Sequence, residues 1–164
     1  MLDSFQEMSE AKRVALYFLF GNDPEDDSSH LYIGQTGGCG ERLKQNDKGK
    51  IFWTKALIVV SLTNSLTQTH ALFLEWQAIK QAKDIGRYNV LNGNGGNRPH
   101  TPPPLEADCA EIFDTALTLL ATLGYPVFEP FLKKAELHNQ QELFYCKSRG
   151  ATVRGMYTDE GFVV

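Results

Sequence analysis

Glu75 sits where a carboxylate has no local reason to be. Read as a helix, its neighbours at i−4, i−3, i+3 and i+4 are Ala71, Leu72, Ala78 and Ile79, all apolar. Burying an unpaired ionised group costs several kcal/mol, so this carboxyl must be protonated, paired at long range or bound to a metal. A lone acid implies at most one metal ion, since two-metal sites draw on several carboxylates. Arg42 opens a short helix, a place the helix dipole does not favour for a cation. Its guanidinium can grip two phosphate oxygens and stays charged at any working pH. Tyr17 and Tyr32 lie in two apolar runs, residues 14–20 and 31–34. Strand alternation puts Tyr17 on one face with Ala15 and Leu19, and Tyr32 on one face with Gly34. Paired antiparallel, the runs would carry two phenols over a surface made shallow by Ala15 and Gly34, where a polymer backbone can lie. Asn89, between Tyr88 and Val90 in a strand-like stretch, offers an amide that orients a side chain or ends an element. Each residue also has a plain structural reading. Tyrosines favour strands, a helix arginine can simply be solvated, and Glu75 can reach solvent at the edge of the stripe or pair with Arg42 or Arg87.

The elements that must position these groups follow from the hydrophobic pattern. Leu2, Phe5 and Met8 mark a short leading helix over residues 2–12. The connection at 21–29 is too long and too acidic for a tight turn and is expected to be mobile. The glycines at 37, 38 and 40 lack the Lys-Ser/Thr pair of a phosphate-binding loop. A helix begins at Glu41. Residues 56–60 read as a third strand buried on both faces. A helix over 69–83, capped by Thr67 or Thr69, aligns Leu72, Trp76 and Ile79 with Phe73 beside them and stops near Gly86. Glycines and prolines between 92 and 104 mark a linker. The expected organisation is therefore a domain at 1–95, a linker at 96–104, and a helix plus the start of a β module at 105–164. That helix carries Cys109, Ile112, Phe113, Ala116, Leu119, Leu120 and Leu123, with Gly124 as terminator. Three short runs from Leu143 onward predict a β-meander. The final Phe162-Val163-Val164 reads as a strand cut inside a larger module.

Composition bounds the partners. The 16 Lys and Arg against 20 Asp and Glu leave a net charge of −4, which weighs against a generic nucleic-acid binder. Between residues 41 and 55, however, Arg42, Lys44, Lys48, Lys50 and Lys55 face only Glu41 and Asp47. That stretch could hold a phosphate backbone or be an ordinary solvated surface. There is no apolar run near the ~20 residues needed to cross a bilayer, and no basic-then-apolar leader. Cys39, Cys109 and Cys146 are odd in number and widely spaced, as expected of reduced thiols in a cytoplasmic protein. His30, His70, His100 and His138 share no metal spacing, and Trp53 and Trp76 are expected in the core.

The order Tyr17, Tyr32-Ile33-Gly34, Arg42, Glu75 and Asn89, spread over roughly residues 14–90, resembles the GIY-YIG nuclease family. The second name-giving tripeptide is intact at 32–34; the first stands as Ala15-Leu16-Tyr17. The resemblance implies an α/β (α+β) fold with a small three-stranded antiparallel sheet flanked by helices. It implies a metal-dependent endonuclease of bacterial type that hydrolyses DNA with one Mg²⁺ or Mn²⁺. Tyr17 would be the general base or its relay, Tyr32 would order the water and phosphate, and Arg42 would neutralise charge on the scissile phosphate. Glu75 would hold the metal and Asn89 would brace the site. Gly34, Arg42, Lys44, Lys48, Lys50 and Lys55 would contact DNA. Two positions depart: Asn46 stands where many members have histidine, and Gln35 where some have lysine. These departures admit two other readings, a nucleic-acid-binding module without turnover and a protein-interaction scaffold. Residues 154–164 resemble an uncharacterised module that often follows this core in bacterial proteins. Sequence readout would then lie in that annex or in a partner, and cutting both strands would call for a homodimer or two visits.

Overall fold

The computed structural model describes residues 5–23, 25, 28–49, 52–93, 98–130, 143–148, 151–158 and 161–163. It divides into two compact units, Met1–Pro130 and Phe131–Val164.

In the first unit the strands are β1 (Ala15–Asn22), β2 (Ser29–Thr36), β3 (Trp53–Val60) and β4 (Asn89–Val90). The helices are α1 (Cys39–Gly49), α2 (Gln68–Ile85) and α3 (Pro103–Thr122). The sheet order is β3-β1-β2-β4. A strand apolar on both faces belongs in the middle of a sheet, and β1 is buried from Ala15 to Gly21. Its odd positions Ala15, Tyr17 and Leu19 pack with Cys39 and Leu43 of α1. Its even positions Leu16, Phe18 and Phe20 join Leu31 and Ile33 of β2 in the larger core, together with α2 and α3. The sheet is thus covered on both sides, and Tyr17 faces α1.

Several expectations are corrected. The sheet is four-stranded and mixed, not three-stranded and antiparallel, because Asn89 and Val90 pair parallel to His30 and Leu31. β3 is an edge strand of half-buried and exposed residues, and so is not buried on both faces. The hairpin strands run further than expected, and the loop closes with the Asp23 N–H donating to the Ser28 carbonyl at 2.9 Å. Residues 2–4 of the expected leading helix lie outside the described residues, and Ser9–Lys12 forms a 3₁₀ turn.

Helix α2 is capped by Thr67, whose hydroxyl accepts from the His70 N–H, and ends at Gly86 in the left-handed region with φ 69°. Its core face takes in Ile79 and Phe73 of the expected set, while Trp76 is half-buried and Leu72 lies outside it. Ala71, Leu74, Ala78 and Ala82 are buried with them, while Leu72 is 40% exposed. Trp53 and Trp76 are half-buried instead of core. Trp76 lies beneath cations, with the Arg98 guanidinium 5.5 Å and Lys80 Nζ 5.7 Å from its ring centre. Arg98 also pairs with Glu106, tying the 98–102 segment to α3. Cys109, Phe113, Ala116 and Leu120 of α3 belong to the same core as α2 and the sheet. The helix expected beyond a linker therefore completes the first unit, and Gly124 terminates it with φ 85°.

The second unit contains β5 (Leu143–Ser148), β6 (Ala151–Thr158) and β7 (Gly161–Val163), an antiparallel meander in the order β5-β6-β7, as the pattern predicts. Among the described residues no helix is long and apolar enough to cross a membrane. Burial pushes the Cys39 and Cys109 thiols up to about 11, so both stay protonated and inert.

Candidate active site

Tyr17 is fully buried on the α1 side of the sheet, and its hydroxyl is the point on which the site converges. Arg42 and Asn46 are one helical turn apart on α1, so both side chains leave the same stripe. Arg42 Nε donates to Tyr17 Oη at 3.3 Å, and Asn46 Nδ2 donates at 3.1 Å. Asn46 is itself buried. The phenol oxygen accepts twice, which leaves its single proton to be given elsewhere.

Gly34 makes that placement possible. It is the cross-strand partner of Tyr17, and a Cβ built on it would lie 2.3 Å from both Cζ and Oη of Tyr17. No side chain larger than hydrogen fits beneath the ring. Tyr32 stands beside it on the same face, with ring centres 6.3 Å apart and planes tilted by 32°. Burial raises the Tyr32 phenol above its ordinary range, the Tyr17 phenol adds to this, and Arg42 draws it partly back. Tyr32 is therefore a neutral hydroxyl at working pH, a donor and not a base.

Glu75 approaches from α2, around the outer edge of β2. Its half-buried carboxylate accepts from the Gln35 backbone N–H and feels the charge of Arg42. Burial is the largest influence and raises its pKa, while Gln35 and Arg42 oppose the rise. Glu75 also acts on the Tyr32 phenol, so the two phenols, the guanidinium and the acid form one cluster. Beside it lies a polar concavity of about 390 Å³ walled by Gln35, Thr36, Glu41, Arg42, Gln45 and Gln68. Gln68 donates to the Gln35 side chain, and Arg42 Nη1 donates to Gln45 at 3.3 Å.

The remaining expected site residues are not brought in. Asn89 is exposed on β4, and its amide meets His30 Nε2 at 3.1 Å, away from the Tyr17 hydroxyl. The bracing amide belongs to Asn92. Its Oδ1 accepts from the Ile33 N–H at 2.9 Å and its Nδ2 donates to the Ile33 carbonyl at 2.7 Å. Asn92 so continues the β4 pairing by one side chain and holds the strand between Tyr32 and Gly34. Asn92→Ala is expected to cost about 1–3 kcal/mol in urea unfolding, because it strips partners from the buried Ile33 backbone. Asn89→Ala is expected to stay within about 0.5 kcal/mol of wild type. Equal losses would refute the assignment. Lys44 is exposed two residues from Arg42, on a different side of α1. Lys55 pairs with Phe20, and cross-strand partners share a face, so it lies on the side opposite Tyr17. The Lys48 side chain and Lys50 lie outside the described residues.

Among the described residues no three His, Cys, Asp or Glu side chains gather into a metal cluster. The donors present are one half-buried carboxylate and two phenols. They fit a hard cation such as Mg²⁺ or Mn²⁺, which binds through one or two carboxylates plus phosphate and keeps several waters. No family model matches the chain, and neither curated proteins nor solved structures match it.

Proposed function

We propose that this protein is a phosphodiester hydrolase, a DNA endonuclease of the GIY-YIG type. The observation that supports the reading is the cluster itself: Arg42 and Asn46 both donate to a buried tyrosine hydroxyl, with a second phenol and an acid from another helix alongside. A structural core does not need a guanidinium aimed at a buried phenol, and a half-buried carboxylate beside it is costly unless used.

In this reading the Arg42 guanidinium, exposed beyond its bond to Tyr17, meets the phosphate of the scissile bond and opposes the charge that grows on it. Tyr32, held neutral, donates to a phosphate oxygen or to the attacking water. Tyr17 gives up its own proton to bulk water, and the donors Arg42 and Asn46 steady the charge on its oxygen. It then takes the proton of the attacking water, and the departing oxygen is protonated from solvent. Glu75, anchored by the Gln35 N–H, would hold one Mg²⁺ or Mn²⁺. When bound, that ion would supply Lewis-acid stabilisation of the departing oxygen. Asn46 offers no titratable group, and this favours as second reading a nucleic-acid-binding module without turnover.

Nicking of supercoiled plasmid in Mg²⁺ or Mn²⁺ separates the two. Tyr17→Phe is expected to lower the rate by at least about 100-fold while DNA binding persists. It should also cost about 1–3 kcal/mol in stability, because the buried Asn46 amide loses an acceptor. Cutting by Tyr17→Phe at the wild-type rate would end the hydrolase mechanism. Binding without cutting by the wild type would leave the module.

A further inference from the structure

Lys55 lines a second cleft, in which four rings stand among polar residues such as Asn22, Ser29 and Thr54. Buried Phe20 is its floor. Tyr125 lies on Phe20 with ring centres 4.4 Å apart and a tilt of 40°, and Tyr88 meets Phe20 edge-on at 5.6 Å. Phe52 lines the same cleft, whose volume is about 390 Å³, within the size range of small-ligand sites. Phe52, Tyr88 and Tyr125 are half-buried, so each still offers surface to an occupant. Lys55 is exposed, with Nζ 5.8 Å from the centre of the Tyr125 ring.

Phe20, Lys55, Tyr88 and Tyr125 belong to the face opposite Tyr17, and the cleft meets the Tyr17 face at the end of β1, at Gly21 and Phe52. Gly21, which also lines it, is four residues along β1 from Tyr17, about 13 Å at a strand rise of ~3.3 Å per residue. A Cβ at Gly21 would sit 1.9 Å from the Phe52 carbonyl oxygen, so the backbones touch there. Phe52 in turn packs edge-on against His30 at 6.1 Å, and His30 shares the face of Tyr32 two residues along β2. At ~3.4 Å per stacked nucleotide, a strand with one phosphate at Arg42 spans about four nucleotides to Gly21 and must then round the end of β1 to meet the rings on the other face.

We propose that this cleft receives an unpaired base of the strand being cut, stacked among Phe52, Tyr88 and Tyr125, with Lys55 on an adjoining phosphate. The proposal rests on the nuclease reading and adds that the substrate is single-stranded near the cut. A paired base presents no free ring face to such a slot, whereas any unpaired base does, so capture is tolerant of sequence.

The test uses the full chain in EDTA with single-stranded oligonucleotides carrying one fluorescent 2-aminopurine at successive positions. Quenching is expected at one position in the wild type, and this readout needs no variant to fold. Tyr88→Leu and Tyr125→Leu should each bind the strand about tenfold more weakly. Lys55→Gln should flatten the slope of log affinity against log salt by about 0.7 at an unchanged melting temperature. Uniform fluorescence and unaltered affinity and salt slope, with DNA still nicked, would overturn the cleft and leave the nuclease standing. Neither binding nor nicking of any nucleic acid would overturn both.

Discussion

Glu75→Gln should abolish nicking and, at neutral pH, raise the melting temperature. The loss of function follows from removing the anionic oxygen that would hold the metal. Residues that merely support metal ligands cost about 10–100-fold, so the ligand itself should cost more. The gain in stability follows from the direction of the pKa shift. Burial raises the Glu75 carboxyl above 4.5 in the folded state, so between that value and its folded pKa the native protein binds more protons than the unfolded chain. Stability therefore falls as pH rises through the window, and above it the folded state carries a carboxylate it would be more stable without. Glutamine keeps an oxygen for the Gln35 N–H and carries no charge. The two melting temperatures should converge below about pH 4, where the carboxyl is neutral in both states. Mg²⁺ or Mn²⁺ should raise the wild-type melting temperature and leave that of Glu75→Gln unmoved. A variant less stable than wild type at pH 7, or one that still nicks, would show that the acid is structural.

Gly34→Ala is the second large effect. One methyl group at 2.3 Å from the Tyr17 ring cannot be absorbed by a flexible tip, because Tyr17 is fully buried between the sheet and α1. The ring must leave, taking its hydroxyl away from Arg42 and Asn46. Overpacking of this kind costs about 1–3 kcal/mol, and nicking should fall as far as it does in Tyr17→Phe. A double-mutant cycle isolates the cause. In a Tyr17→Leu background the alanine should cost far less, giving a coupling above about 0.5 kcal/mol by urea denaturation. Additive losses would mean that the glycine serves the backbone and not the ring.

What was legible in the chain was whatever short-range pattern dictates. The uninterrupted apolar run of β1, the polar start and glycine stop of α2, and the acid among alanines each announce themselves within a few residues. Tyr17, Tyr32, Arg42 and Glu75 could be selected because chemistry and spacing agreed. The stretch around Asn89 was strand-like in the sequence, but its parallel pairing with β2 depends on where α2 delivers the chain. Asn92 looked like part of a glycine-rich connector, although its amide completes a ladder. Lys55 was grouped with Arg42 by charge. Strand parity against Phe20 separates them, and parity needs a register that the sequence does not state. The proline-rich stretch before α3 looked like a boundary because composition cannot reveal the contacts that cross it. These are the packing of Cys109, Phe113 and Leu120 into the core of α2 and the sheet, and the stacking of Arg98 on α2.

The finishing of β2 by side chains has a consequence for assembly. Past Leu31, the outward-pointing backbone groups of Ile33 and the N–H of Gln35 are taken by Asn92 and Glu75. An added strand would have to evict both residues. Were two copies to gather for opposite strands of a duplex, they could not do so by extending the sheet along this margin without dismantling the cluster that would cut.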